Sequence, residues 1–283
     1  MSSTKPIVCA FLVASVVAIA GCSGSDGGET GSKTPKESVE LQFETRVGDK
    51  GFDCAETYSA GANGTSVKFS DVKMYVSDLQ LKSADGENVP LELDTETKWQ
   101  NETTALLDFE DGSGACTNGT KATRSVVEGT VPQGDYTGVT FVLGVPFDQN
   151  HQDAASASAP LNNTRMFWSW QGGYKFLRID GEAAGSAGFR VHLGSTGCET
   201  EGGPGNVTSC THGNRGTISL DSFDVDAESI VFDVGKLLEN APMEPGSDGD
   251  SMVCRSKPQH QPCAPVFEAL GIEVLELELF QVL

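Results

Sequence analysis

Basic and imidazole side chains are scarce in this sequence of 283 residues. It has 19 lysines and arginines against 40 aspartates and glutamates, a net charge of −21, and only 4 histidines. A surface that negative repels phosphate backbones, which excludes nucleic acid as a favoured partner. The same charge keeps a protein soluble and can attract cations or the basic face of another protein.

Several chemistry-bearing motifs are also missing. The sequence has no Cys-x-x-Cys, no Cys-x-x-Cys-His haem attachment site, no Gly-x-Ser-x-Gly, no His-Glu-x-x-His and no dense acid/base cluster. Asp108 and Glu110, two apart on a predicted strand, are the nearest approach to an acid/base pair. We interpret them as part of a solvated acidic face, and we predict that the protein is not an enzyme.

No apolar run is long enough to span a bilayer. The longest, from Ile7 to Ala20, follows Lys5 and fits a secretory signal. It ends in Ile-Ala-Gly-Cys and so resembles a bacterial lipoprotein signal. That resemblance implies a lipid on Cys22 and, with Ser23 next, residence at the outer membrane. A plain signal peptide cut nearby is the alternative.

The chain divides into three parts by composition. Residues 1–21 are the predicted signal, residues 22–38 a flexible Gly/Ser-rich tether without apolar residues to bury, and residues 39–283 one domain. The predicted location is the periplasmic face of the outer membrane or the cell surface. The only predicted membrane contact is the lipid anchor.

Alternating strand patterns dominate the predicted domain, and no convincing helix exceeds two turns. We predict an all-β fold, an antiparallel sandwich or barrel-like domain with long loops and short helical turns. The long loops are expected at residues 148–165, 194–216 and 241–263. The predicted strands are 39–43, 67–81, 89–93, 139–143, 229–234 and 272–283, with short helices at 236–240 and 265–270.

Six cysteines remain after Cys9 in the signal and Cys22 are set aside. An even number in an exported chain favours disulfides over thiolate metal ligands. Proximity in sequence favours two pairs and leaves a third: Cys198–Cys210, Cys254–Cys263 and Cys54–Cys116.

The segment from Met166 to Asp180 holds two of the three tryptophans, Trp168 and Trp170. On an extended strand both rings would lie on one face. Aromatic pairs of this kind usually fill a core, and Trp99 is interpreted in the same way.

Several longer motifs occur in a fixed order around this segment. Together they resemble the MbnP family, also called metallo-mystery-pair four-Cys-motif proteins, over residues 39–283. The first motif combines Trp99-Gln100 with residues 105–111, and the second combines residues 145–147 with Asn150-His151. The other three are residues 160–162, residues 166–176, and residues 191–198, which begin Val191-His192-Leu193-Gly194. The residues around Cys254 depart from the family pattern, which leaves that loop without an implied role.

The resemblance implies one copper ion bound in the periplasm by His151, His192 and Trp168. It also implies a partner, the dihaem cytochrome c peroxidase relative MbnH, that converts Trp168 to kynurenine. Imidazole suits copper, and the low-coordinate set favours Cu(I). Met166 and Trp170 are possible accessory residues, although a core methionine and a structural tryptophan are the simpler interpretations.

Two other functions stay open at this point. A carbohydrate-binding or adhesion module could use Trp168, Trp170 and Tyr174 as a stacking platform, and a secreted β-fold enzyme is the third possibility. The residues alone also allow His192, on the polar side of its strand, to be merely solvated. His212 and His260 are expected to be surface histidines.

Overall fold

The structure is a computed structural model that describes residues 34–186, 188–203, 205–244, 252–257, 260–272 and 280–282. The expected signal, Cys22 and the tether up to residue 33 lie outside the described residues, as does most of the predicted C-terminal strand. The first strand begins at Lys36, so the last three residues of the predicted tether belong to the fold. No helix among the described residues is long and apolar enough to cross a membrane.

Strands make up most of the fold, as the alternating patterns predict. The strands are β1 (Lys36–Val47), β2 (Lys50–Gly51), β3 (Tyr58–Ala60), β4 (Thr65–Ser83), β5 (Asn88–Pro90), β6 (Glu92–Leu93), β7 (Thr104–Asp108), β8 (Val126–Pro132), β9 (Tyr136–Leu143), β10 (Phe167–Ser169), β11 (Gly173–Tyr174), β12 (Leu177–Ala183), β13 (Phe189–Leu193), β14 (Thr196–Thr200), β15 (Val207–His212), β16 (Gly216–Leu220), β17 (Ile230–Asp233), β18 (Val253–Arg255) and β19 (Phe280–Val282). Three short helices, α1 (Phe147–Asn150), α2 (Val234–Leu237) and α3 (Ala264–Leu270), connect them. Short 3-10 turns lie at Gly114–Cys116, Thr164–Met166 and Gln261–Cys263.

Two mostly antiparallel sheets carry the core. The larger follows the order β16-β9-β4-β12-β13-β18, with β3, β5 and β7 also paired to β4, and the smaller follows β19-β17-β1-β8-β6, with β2 on β1. Phe43 of the smaller sheet meets Phe141 of the larger edge to face, at 5.6 Å between ring centroids. Trp99 is partly buried against the same core. The all-β prediction is therefore confirmed.

The three predicted disulfides are all present: Cys54–Cys116, Cys198–Cys210 and Cys254–Cys263. Cys198 and Cys210 are directly opposed in the hairpin of β14 and β15. Cys254 lies on β18, which runs parallel to β13. Two of the bridges therefore fix segments that flank β13, the strand of His192.

Some predicted loops, strands and helices differ from those in the structure. The loop predicted at residues 194–216 contains the β14–β15 hairpin, which has too few apolar residues for a periodic signal. The strand predicted at 89–93 divides into β5 and β6 in different sheets after Pro90, which cannot donate to a ladder. Helix α2 starts before residue 236 because the Asp233 carboxylate caps it, accepting a hydrogen bond from the Lys236 amide at 3.0 Å.

Candidate metal centre

The larger sheet carries a row of polar side chains across four strands. Arg178 of β12 lies opposite Lys73 of β4 and His192 of β13, and His192 lies opposite Arg255 of β18. Side chains alternate along a strand, so this row points away from the core. The neighbouring positions, which fill the core, are Leu177, Ile179, Val191 and Leu193.

His192 is held in one orientation by Asp180 on the adjacent strand. Its Nε2 lies 2.7 Å from the Asp180 Oδ1, and only 8 % of the residue is exposed. A carboxylate can only accept, so we assign the proton to Nε2, which leaves the lone pair on Nδ1 free for a metal. The alternative of a solvated histidine does not hold, because His192 is buried and the Trp168 ring lies beside it.

Burial and charge set the protonation of this pair. Burial lowers the pKa of His192, an effect that outweighs the stabilising contact with Asp180, so the imidazole is neutral at pH 7. Burial opposes ionisation of Asp180, but the hydrogen bond with His192 and the Arg178 guanidinium lower its pKa to about 2. Arg178 Nη2 lies 2.6 Å from the Asp180 Oδ2. A neutral imidazole oriented by an ionised carboxylate is the usual state of a metal-binding histidine.

Trp168 lies against His192, with 6.4 Å between the ring centroids. The indole also packs closely on Gly194, where a Cβ would come within 2.6 Å of the Trp168 Cζ3, so a larger residue there would displace the ring. The Lys175 Nζ lies over the indole ring, 5.8 Å from its centroid. The structure therefore brings Trp168 and His192 together, as the family resemblance implies.

These two rings line a cavity of about 770 Å³. That volume is in the range of small-molecule sites. Besides Trp168 and His192, the wall includes Asp180, Ser195 and Cys198. The cavity is large enough for a metal ion together with a ligand of modest size.

His151 lies apart from this cavity, against the Cys198–Cys210 disulfide. Its Nδ1 is 3.0 Å from the Trp170 carbonyl oxygen, so Nδ1 donates and Nε2 keeps its lone pair. The Nε2 lies 3.6 Å from the Cys210 Sγ. This nitrogen and the two sulfurs lie within 4.8 Å of one another, but sulfurs in a disulfide are not thiolate ligands.

Asn150 connects His151 to the Trp168 cavity. Its Nδ2 lies 3.2 Å from the His151 Nε2 and 3.3 Å from the Ser195 Oγ, and Ser195 lines the cavity. Burial lowers the pKa of His151, and the hydrogen bond to Trp170 offsets this only in part. Both predicted histidine ligands are therefore neutral at pH 7, but the described residues show no direct contact of His151 with Trp168 or His192.

The two tryptophans of the Trp-Ser-Trp motif do not share a face, contrary to the sequence prediction. Strand β10 ends at Ser169, and the turn that follows places Trp170, 46 % exposed, in a second cavity with His151 and Gly205. Tyr174 is fully buried, and its hydroxyl donates to the Leu161 carbonyl at 2.6 Å. Trp168, Trp170 and Tyr174 therefore do not form one stacking platform.

Met166 is fully buried in the hydrophobic core, as expected for a structural methionine. Of the two remaining histidines, His260 is exposed and His212 is partly exposed. Neither belongs to the cavity of Trp168.

The acidic pair Asp108 and Glu110 is buried rather than solvated, which corrects the sequence interpretation. Lys73, itself only 2 % exposed in its side chain, lies 3.2 Å from the Asp108 Oδ1, 3.0 Å from the Asp71 Oδ1 and 2.5 Å from the Glu110 Oε1. Burial raises the pKa of Asp108 to about 7, although Lys73 opposes the shift. Asp71 also pairs with Arg178, so this cluster extends to the polar row of the metal cavity.

Asp180, Arg178 and Asn150 were not predicted as functional from the sequence. Arg178 and Asp180 flank the core residue Ile179, so an opposite-charge pair on the outer side of a strand was visible. What was not visible is that β13 pairs with β12 and brings His192 beside them.

Comparison with known proteins agrees with the motif resemblance. The family model described as MbnP matches residues 36–254. Among solved structures, the chain is similar to "MbnP from Methylosinus trichosporium", with 27% identity, a TM-score of 0.75, and coverage of 88% of this chain and 98% of that one. The comparison with curated proteins gives no significant match. The chain therefore belongs to the MbnP family.

Proposed function

We propose that the protein binds one copper ion in the cavity formed by His192 and Trp168. Family membership and the likeness to MbnP support a copper-related function. The observation that carries the specific site is the neutral, buried His192, oriented by Asp180 and 6.4 Å from the Trp168 ring. An imidazole so prepared is a good ligand for copper.

Trp168 becomes a ligand after conversion to kynurenine. Intact indole commits its nitrogen lone pair to the ring and acts only as a donor. Two equivalents of peroxide, consumed by the dihaem partner, open the five-membered ring, and hydrolysis then releases formate. The product carries an aromatic amine and a ketone with available lone pairs. Imidazole suits copper. A set of only three ligands suits the low-coordinate Cu(I) ion, which is the state we propose.

His151 is the proposed third ligand. Its Nε2 lone pair is directed at Asn150 and Cys210, and Asn150 leads to Ser195 on the cavity wall. Binding through this nitrogen requires the imidazole to leave those contacts, so His151 would close the site after copper enters. Met166 is excluded from the set by its place in the core.

The protein acts by holding copper rather than by catalysis, in copper homeostasis or acquisition. We propose that it is exported and carried on a lipid at Cys22, and that the MbnH-like peroxidase is its partner.

The test is co-expression with the peroxidase partner, followed by copper analysis and peptide mass measurement. We expect one copper per chain and a mass increase of roughly 4 Da on the peptide of Trp168. His192→Ala and Trp168→Phe should lose the copper, whereas His260→Ala, which removes an exposed histidine, should retain it. Full copper occupancy in both cavity variants would overturn the assignment, and an unmodified Trp168 in copper-loaded wild type would overturn the kynurenine ligand alone.

A further inference from the structure

The cavity of Trp168 is strongly basic in a protein that is strongly acidic. Across the sequence, acidic residues outnumber basic ones by 40 to 19. Among the described residues of the cavity wall the ratio is reversed, because Asp180 is the single carboxylate there. The basic residues of the wall are Lys175, Arg178, Arg190, Arg255 and Lys257.

Two of these cations are already satisfied by the protein. Arg178 pairs with Asp180 and with Asp71, at 2.6 and 3.3 Å. Lys175 donates to the carbonyl oxygens of Arg165 and Phe167, and burial lowers its pKa to about 8. Neither depends on a further anion.

The other three cations, Arg190, Arg255 and Lys257, are exposed. None of them forms an ion pair with any residue that the structure describes. Arg190 and Arg255 lie on the adjacent strands β13 and β18. Together the three cations form a positively charged wall beside His192, with no carboxylate partner in the part of the chain that the structure describes. We call it the basic wall.

The basic wall is held rigidly. Ser256, between Arg255 and Lys257, is fully buried and adopts a left-handed backbone conformation, with φ of 57°. Its hydroxyl donates to the His192 carbonyl at 2.6 Å, and its own carbonyl accepts from Asn214 at 3.1 Å. A non-glycine residue is rarely kept in this conformation unless its surroundings fix it. The disulfide of Cys254 fixes the same segment from the other side.

We infer that the basic wall binds a small oxyanion-bearing molecule, with carboxylate or phosphate groups, in the cavity beside Trp168 and His192. Arginine guanidinium groups match carboxylate and phosphate oxygens in two-point hydrogen bonds. The recess accommodates a small molecule. The net charge of the whole chain is −21 even with these cations included, which disfavours anions on the rest of the surface. This binding is a second property of the cavity and does not require copper.

Calorimetric titration of the metal-free protein tests the inference with two probes, tricarballylate and inorganic phosphate, which distinguish the two oxyanion chemistries. We expect the wild type to bind at least one of them with Kd below about 1 mM, and less tightly as salt is added. Arg255→Gln with Lys257→Gln should weaken that binding about tenfold, because each exposed ion pair contributes only a few-fold. Lys50→Gln with Lys121→Gln removes the same charge away from the cavity and should leave the affinity unchanged.

Two results would overturn the inference. One is the absence of saturable binding of both probes to the folded wild type, and the other is equal affinity in the basic-wall and control variants. Copper loading of the same variants separates this proposal from the metal site. A basic-wall variant that retains copper but no longer binds the anion would show that anion binding is separate from copper binding.

Discussion

The contact between Asp180 and His192 gives the sharpest test of how the metal ligand is prepared. Asp180→Asn keeps the size and an acceptor oxygen but removes the negative charge that polarises the imidazole. Replacing a carboxylate that orients a ligating histidine typically costs 10- to 100-fold in metal affinity. The 2.7 Å contact and the burial of His192 place this pair in that class, and the remaining amide oxygen favours the lower end. We therefore expect a loss of about tenfold, or roughly 1.4 kcal/mol.

Competition with a coloured Cu(I) chelator measures this loss. Asp221→Asn is the matched control, because its carboxylate is 73% exposed and pairs with Lys82 at the surface. The control should bind copper as the wild type does. If folded Asp180→Asn also binds copper with unchanged affinity, Asp180 does not prepare His192 as a metal ligand.

Three further predictions concern stability and pH. Lys73→Met should destabilise the protein by roughly 3–5 kcal/mol in urea unfolding, because it leaves buried carboxylates without their cation. The control Lys50→Met, at an exposed position, should change the unfolding free energy little. A Lys73→Met variant as stable as the wild type would contradict the buried cluster. The raised pKa of Asp108, about 7 in the fold, means that the folded state binds the extra proton. Its contribution to stability is therefore complete below about pH 4 and is lost as the pH rises to 7, and Asp108→Asn should remove that slope from the unfolding free energy. Replacing both Cys198 and Cys210 with serine should lower the free energy of unfolding by about 3 kcal/mol. It should also weaken copper binding, since the bridge positions both the cavity wall and His151. Unchanged copper affinity would show that the hairpin has no part in the site.

The sheet class could be predicted because strands that bury one face leave a period of two in the sequence. The disulfides could be predicted because exported cysteines close together in sequence tend to pair, and the remaining two then had no other choice. Both signals are local, so they do not depend on how the strands are arranged.

The site was only partly predictable, because its geometry depends on contacts between distant strands. From the residues alone His192 could be solvated, because nothing in the sequence shows that Trp168 of β10 lies beside it. Asp108 and Glu110 resemble a solvated acidic face, because nothing local shows that Lys73 of β4 pairs with both. The spacing of Trp168 and Trp170 suggested a shared face, but a strand must continue for the alternation to hold, and β10 ends between them.

The position of the bound copper shows whether His192 and the side chain at position 168 form the metal site. Crystals of copper-loaded protein, produced with its peroxidase partner, can be examined by anomalous diffraction at the copper edge. We expect one copper peak within bonding distance of the His192 Nδ1 and of the modified side chain at position 168. A peak on the acidic surface, or a peak beside His151 with His192 and Trp168 unengaged, would contradict it.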